Sequence, residues 1–97
     1  MKKYQVYLWT NKVTNKSYVG YTCKDFMKRW EQHIKNSNNG KDTYFYRSIR
    51  KYGADSFVGK ILFETNDIEI AKEKEKFFIE ELKTLNPFGY NSTLGGN

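Results

Sequence analysis

The stretch Tyr4–Tyr21, YQVYLWTNKVTNKSYVGY, decides the fold of this 97-residue chain. Side chains alternate in character over residues 3–10, which predicts a β-strand with two different faces. One face carries Tyr4, Val6 and Leu8, and the other carries Gln5, Tyr7 and Trp9. Residues 11–16 are polar and turn-like, and residues 17–21 are strand-like again. The stretch therefore predicts a β-hairpin with a somewhat long loop.

Three helices and a third strand are predicted after the hairpin. The first helix is expected to begin at an N-cap on Thr22, with Asp25 as a variant of the capping box, and to end near residue 36. The remaining elements are a helix from a cap at Asp42 to Gly53, a strand over 56–63, and a helix over 67–85. The order β-β-α-α-β-α predicts an α+β fold, with a small, largely antiparallel three-stranded sheet flanked by three helices in one domain.

Charge and cysteine content limit the classes of function. The chain carries 17 basic and 11 acidic residues, a net charge of +6. This excess favours a polyanionic partner, although solubility alone also accounts for it. Cys23 is the single cysteine, so no internal disulfide forms, and no apolar run approaches the length of a membrane span. We expect a soluble intracellular protein, in the cytoplasm or nucleoid, in a reducing compartment and with no membrane partner.

One acidic residue lies in an unexpected place. The last helix carries an apolar stripe of Ala71, Phe78, Leu82 and Leu85, and Glu75 lies within it. Burying a carboxylate among apolar groups costs several kcal/mol, in order of magnitude about 3–5, unless it is protonated, paired or bound to a cation. The sequence leaves two alternatives open, a metal ligand and a structural ion pair with a lysine or arginine.

Short motifs in six elements together resemble the GIY-YIG nucleases. Gln5-Val6-Tyr7 and Tyr18-Val19-Gly20 resemble the paired signature of the family, with Gln5 where the first signature usually has glycine. The downstream matches are Lys28-Arg29-Trp30 with His33, Arg50-Lys51-Tyr52-Gly53 with Phe57, Glu75 with Phe77-Phe78-Ile79, and Gly89-Tyr90-Asn91. The resemblance covers essentially the whole chain. Gln5 is expected to add bulk beside the site without removing a reactive group.

The resemblance implies a Mg²⁺- or Mn²⁺-dependent endonuclease similar to the catalytic domains of homing endonucleases. Such an enzyme hydrolyses phosphodiesters of double-stranded DNA, by nicking or by cutting both strands, to 5′-phosphate and 3′-hydroxyl ends. One metal ion per site is expected. The resemblance also leaves room for a separate DNA-binding region beyond Asn97, or for a partner protein that supplies specificity.

The resemblance also assigns roles to six side chains. Glu75 would hold the metal ion and Arg29 would bind the scissile phosphate, as suits a guanidinium fork. Tyr7 is the candidate general base. Three further candidates are Tyr18 to position the water or phosphate, His33 to take or relay a proton, and Asn91 to support the site from behind.

Basic side chains outside this set predict a DNA-binding surface. Lys28 on the first predicted helix and Arg47, Arg50 and Lys51 on the second would grip phosphates without sequence preference. The same composition suits an alternative function, a nucleic-acid-binding or partner-tethering module of the same fold that does not cleave. Such a module has no physical need for an acid facing a phosphate, so Glu75 favours the enzyme over the binder.

Overall fold

A computed structural model describes residues 2–95, and its elements follow the predicted order. The strands are β1 (Tyr4–Asn11), β2 (Ser17–Thr22) and β3 (Phe57–Thr65). The helices are α1 (Phe26–Asn38), α2 (Tyr44–Tyr52) and α3 (Ile68–Glu81), with a short 3₁₀ turn over Ala54–Ser56 before β3. The predicted order β-β-α-α-β-α and the α+β class are confirmed.

The sheet is antiparallel, with β1 in the centre and β2 and β3 at its edges. Residues paired across antiparallel strands point to the same face. Tyr7 pairs with Gly20 of β2, whereas Trp9 lies between Tyr18 of β2 and Gly59 of β3. The register thus places both tyrosines of the signature on one face, together with a glycine beside Tyr7 and another beside Trp9.

The two faces of the sheet pack against different helices. Val6 and Val19 form an apolar cluster with Ala71 and Ile79 of α3. Tyr7 and Trp9 on the other face join a ring-rich cluster with α1 and α2, in which Trp9 stacks on Trp30 with ring centroids 4.0 Å apart. The predicted alternation along β1 is confirmed, and the α1–α2 face is the one that carries the site.

The starts of two helices differ from the prediction. Asp25 caps α1, and its carboxylate accepts from the backbone of the first turn. Thr22 is still part of β2, because it pairs with Gln5 of β1. Thr43 rather than Asp42 caps α2. The predicted stop at Gly53 is confirmed, with a φ of 85° that glycine adopts easily.

Helix α3 is shorter than predicted and its buried stripe is shifted. It ends at Glu81, and Lys83 turns the chain with a φ of 55°. Its buried side chains are Ala71, Glu75 and Ile79, spaced four apart, while Leu82 is 43% exposed. The assignment of Leu82 to the stripe was therefore wrong, but Glu75 is buried as predicted. Within residues 2–95, no helix has both the length and the apolar character that crossing a bilayer requires.

Candidate active site

An open groove of about 1030 Å³ lies along edge strand β2. Tyr7 from β1, Tyr18 from β2, Arg29 from α1 and Glu75 from α3 all line it. Helix α3 packs on the opposite face of the sheet, so Glu75 reaches the groove past the edge of β2. Four of the six predicted catalytic side chains are therefore brought to one surface from four elements.

Gly20 makes the space that Tyr7 occupies. A Cβ atom at Gly20 would lie 2.5 Å from the Tyr7 hydroxyl oxygen and 2.7 Å from Cζ of the same ring. Tyr7 is 1% exposed, and its ring centroid lies 6.4 Å from that of Tyr18. Because Gly20 has no side chain, the phenol of Tyr7 can pass over β2 toward the groove.

His33 lies behind Tyr7 and is fully buried. Its Nε2 is 2.9 Å from the Tyr7 hydroxyl and its Nδ1 is 3.0 Å from the Tyr46 hydroxyl. Burial, with a smaller contribution from the positive charge of Arg29, lowers the pKa of His33 to about 3. The imidazole is consequently neutral at physiological pH, with one nitrogen donating and the other accepting.

Two polar residues of this cluster were not predicted from the sequence. The Tyr46 hydroxyl contacts His33 and also accepts a hydrogen bond of 3.1 Å from Asn36 Nδ2. Asn36 lies three residues after His33 on the same helix, a spacing that places neighbouring side chains on one face and is a usable signal. Tyr46 comes from α2, and nothing in the local sequence indicates that it meets α1.

The two tyrosines hold their protons strongly. The pKa of Tyr7 is raised well above its usual range, mainly by burial and further by Tyr18 and Glu75, while the charge and hydrogen bond of Arg29 oppose the rise. Burial also raises the pKa of Tyr18, to about 12, with contributions from Tyr46 and Glu75. Tyr18 is therefore a hydrogen-bond donor near neutral pH, whereas Tyr7 needs nearby positive charge or donors before it can act as a base.

Glu75 belongs to the buried stripe of α3 and also lines the groove. It is 9% exposed. The loop that follows α3 packs against Glu75, since a Cβ atom at Gly95 would lie 2.5 Å from the Glu75 Oε1 atom. Over residues 2–95, no three His, Cys, Asp or Glu side chains cluster as ligands for a metal. A single carboxylate fits Mg²⁺ or Mn²⁺ rather than zinc, because Mg²⁺ is commonly held by one or two carboxylates, several waters and substrate phosphate oxygens.

Asn91 lies behind β2 and braces it. Its Oδ1 accepts from the backbone N–H of Val19 at 2.9 Å and from Thr84 Oγ1 at 2.7 Å. Its Nδ2 donates to the Val19 carbonyl oxygen at 2.8 Å. The amide thus pairs with edge strand β2 as a neighbouring strand would, at the residue between Tyr18 and Gly20.

The predicted DNA-binding residues divide into two locations. Lys28 lines the groove, together with four other basic side chains, which are Lys2, Lys24, Arg29 and Lys35. Arg47, Arg50 and Lys51 are not part of that lining. Arg50 donates to the carbonyl oxygens of Ser37 and Lys41, and both arginines lie 3.5 Å from the Asp42 carboxylate.

Gln5 performs a structural task. Its Oε1 accepts from the backbone N–H of Phe26 at 2.9 Å, at the start of α1. Its Nε2 donates to Glu64 of β3 at 2.7 Å. Gln5 is not among the residues that line the groove, although its strand partner Thr22 is, and the expectation that it adds bulk beside the site stays a prediction. It fastens the helix that carries Arg29 to the strand that carries Tyr7.

Comparison with known proteins identifies the same architecture elsewhere. The family model of the GIY-YIG catalytic domain matches residues 3–91. Two solved structures of the catalytic domain of the homing endonuclease I-TevI are 34% identical to this chain. The E75A mutant superposes with a TM-score of 0.84 and covers 97% of both chains, and the other structure has a TM-score of 0.79 and covers 93% of this chain and 98% of its own. These matches confirm the resemblance seen in the sequence motifs.

Among curated proteins, Intron-associated endonuclease 1 of Enterobacteria phage T4 is 38% identical over 90 residues. The match covers 89% of this chain and 35% of the phage protein. The chain spans little more than a third of the length of the curated relatives it matches, between 35% and 39%. The likeness therefore extends over only a part of each relative.

Proposed function

Since this chain belongs to the GIY-YIG family of catalytic domains, we propose that it is the cleaving domain of a metal-dependent DNA endonuclease. The observation that carries the proposal is the meeting of Tyr7, Tyr18, Arg29 and Glu75 in one groove with a basic rim. Hydrolysis of a phosphodiester needs an activated water and neutralisation of charge at the phosphate and the leaving oxygen. The groove offers groups for each of these needs.

Arg29 and Tyr18 are the groups that would bind the scissile phosphate. A guanidinium presents two parallel N–H donors to two phosphate oxygens, which fixes the orientation of the phosphorus atom as well as its charge. The raised pKa of Tyr18, about 12, keeps its hydroxyl protonated and able to donate to a third oxygen. Together they would place the phosphorus for in-line attack.

Tyr7 would accept a proton from the attacking water after its own phenolic proton has passed to water in the groove, because only the phenolate can act as the base. Its burial favours the neutral phenol, so the phenolate needs stabilisation from Arg29 and from the nitrogen of His33 that faces it. The negative charge of Glu75 contributes to the rise of the Tyr7 pKa. Neutralising Glu75 with a bound cation would remove that contribution and make the base easier to form.

Glu75 would hold Mg²⁺ or Mn²⁺, one ion per site. When bound, such an ion stabilises negative charge on the leaving 3′-oxygen. Products with 5′-phosphate and 3′-hydroxyl ends follow from attack at phosphorus with departure of that oxygen. An acid in the groove would only repel DNA in a module that binds without cutting, so the non-cleaving alternative is not favoured.

The proposal is tested by cleavage of supercoiled plasmid in the presence of Mg²⁺, Mn²⁺ or excess EDTA. We expect nicked or linear DNA with either metal and none with EDTA. Products labelled at their ends would identify the 5′-phosphate. Cleavage that persists in EDTA would refute the metal requirement. Folded protein that binds DNA but never cuts it, with any metal or target, would instead support the alternative, a module that binds DNA without cleaving it.

Double-stranded DNA is proposed to pass along the lysines of the groove rather than across α2. Replacing Lys24 and Lys28 with alanine should lower the slope of log affinity against log salt by about two, since each phosphate contact contributes roughly 0.9. Replacing Arg47 and Lys51, an equal loss of charge outside the groove, should change it less. Fluorescence anisotropy over a salt series measures both slopes, and a larger effect of the α2 pair would place the DNA on that helix.

A further inference from the structure

We propose that Tyr46 is a positioning residue that selects the tautomer of His33 in which the Nε2–H faces the oxygen of Tyr7. The geometry that carries this is a chain of side-chain contacts from α1 through α2 back to α1 and then to β1. Its meaning for catalysis rests on the proposed nuclease function. The tautomer itself is a property of the protein without DNA or metal, and it is measured independently of cleavage.

The orientation of the chain is set at its far end. Gln32 Nε2 donates to Asn36 Oδ1 at 3.1 Å, one helical turn away. In this arrangement the NH₂ of Asn36 faces Tyr46, and Asn36 Nδ2 donates to the Tyr46 hydroxyl oxygen at 3.1 Å. Asn36 is largely buried, at 9% exposure, so its amide is shielded from most of the solvent water that would compete for these hydrogen bonds.

The hydroxyl of Tyr46 passes that orientation to His33. A phenol has one hydrogen to donate, and its oxygen accepts the bond from Asn36. The remaining hydrogen donates to the nearest acceptor, His33 Nδ1, at 3.0 Å. A neutral imidazole carries one N–H, so an accepting Nδ1 places that hydrogen on Nε2.

The consequence appears at Tyr7. The Nε2–H of His33 donates to the Tyr7 oxygen at 2.9 Å, from the side away from the groove. A donor there stabilises the phenolate, which burial otherwise opposes. In the opposite tautomer, Nε2 of His33 would accept the hydrogen of the Tyr7 hydroxyl. That hydrogen would then point away from the groove and could not exchange with the water there. The other polar groups facing this pair are Tyr18 from β2, Arg29 from α1 and Glu75 from α3.

His33 is the only histidine of the chain, so its imidazole signals need no assignment. Long-range ¹⁵N–¹H correlation spectra of the protein, recorded without DNA or metal, distinguish a protonated from an unprotonated ring nitrogen. We expect the pattern of the Nε2–H tautomer at neutral pH. A spectrum of the Nδ1–H tautomer in the wild-type protein would overturn the proposal, whatever the nuclease assays show.

Asn36→Asp tests whether the hydrogen bonds of Tyr46 control the tautomer of His33. The carboxylate no longer donates to Tyr46 and instead accepts the hydrogen of its hydroxyl. The oxygen of Tyr46 then accepts from His33, and the imidazole hydrogen is expected to move to Nδ1. A folded variant that keeps the hydrogen on Nε2 would refute control through Tyr46. Thermal unfolding checks the fold, and if the variant does not fold, the wild-type spectrum and the following comparison decide.

Tyr46→Phe tests the catalytic consequence against a matched control. Removing the hydroxyl should slow single-turnover plasmid cleavage about tenfold, since a positioning hydrogen bond is lost while binding groups remain. Tyr44→Phe makes the same chemical change two residues away, where the hydroxyl accepts from Lys16 Nζ instead. Equal rates for the two variants would overturn the positioning role. No cleavage by any form, with the expected wild-type spectrum, would count against the nuclease function and not against the tautomer.

Discussion

Glu75→Gln is expected to lower the rate of metal-dependent cleavage about a thousandfold or more while leaving the fold and DNA binding in place. In the proposed mechanism, losing the negative ligand would remove a cation that supplies several kcal/mol of transition-state stabilisation, and each roughly 1.4 kcal/mol is a factor of ten in rate. Glutamine has nearly the volume of glutamate, so the buried stripe of α3 keeps its packing. Single-turnover plasmid cleavage gives the rate, and fluorescence anisotropy gives the affinity for DNA.

Glu73→Gln is the matched control for that experiment. It removes the same charge from the exposed side of the same helix, away from the lining of the groove. We expect it to cut at close to the wild-type rate. A wild-type rate for Glu75→Gln as well would remove Glu75 from the mechanism, and unfolding of the variant, seen by circular dichroism, would mark the residue as structural instead.

Gly20→Ala is expected to reduce cleavage about a hundredfold, since displacing a reacting group by an ångström has effects of this order. The added methyl group would overlap the Tyr7 phenol at 2.5 Å. That ring cannot easily move away, because it is buried and its hydroxyl is hydrogen-bonded to His33. Overpacking of this kind also destabilises a fold, typically by about 1–3 kcal/mol. Rates of plasmid cleavage and thermal melting curves check the two effects.

Gly59→Ala separates the two consequences of overpacking. Its Cβ atom would lie 2.6 Å from the ring of Trp9, so the methyl group meets an aromatic side chain of β1 from the other edge strand. We expect a similar loss of melting temperature with cleavage retained within a few-fold. If both glycine variants lose activity in proportion to stability, Gly20 acts through the fold alone rather than through the placement of Tyr7.

The parts of the fold that depend on local patterns were predictable. Alternation along β1 placed Tyr7 and Trp9 on one face and Val6 on the other because strand periodicity is a property of the backbone. The start of α1 was not predictable in this way. Thr22 and Asp25 both have cap oxygens, and the choice was made by the pairing of Thr22 with Gln5, which extends β2 as far as residue 22.

The candidate site shows the same division. Glu75 was found because a buried acid conflicts with the apolar stripe around it, and such a conflict is visible in the sequence. Tyr46 was missed because its contact with His33 depends on how α2 packs against α1. The roles assigned to the site residues stay predictions, as does the organisation of the chain as a single domain with specificity supplied from elsewhere.

The hydrogen bonds between the Asn91 side chain and the Val19 backbone imply an order in which the parts of the domain fold. These residues are 72 positions apart, so their contact closes a loop that contains most of the chain. Native contacts of such long separation are gained slowly compared with the local hairpin of β1 and β2. During synthesis, the strand that carries Tyr18 would receive its last partner only after residue 91 has left the ribosome. The groove is therefore expected to be complete only once this closing contact has formed.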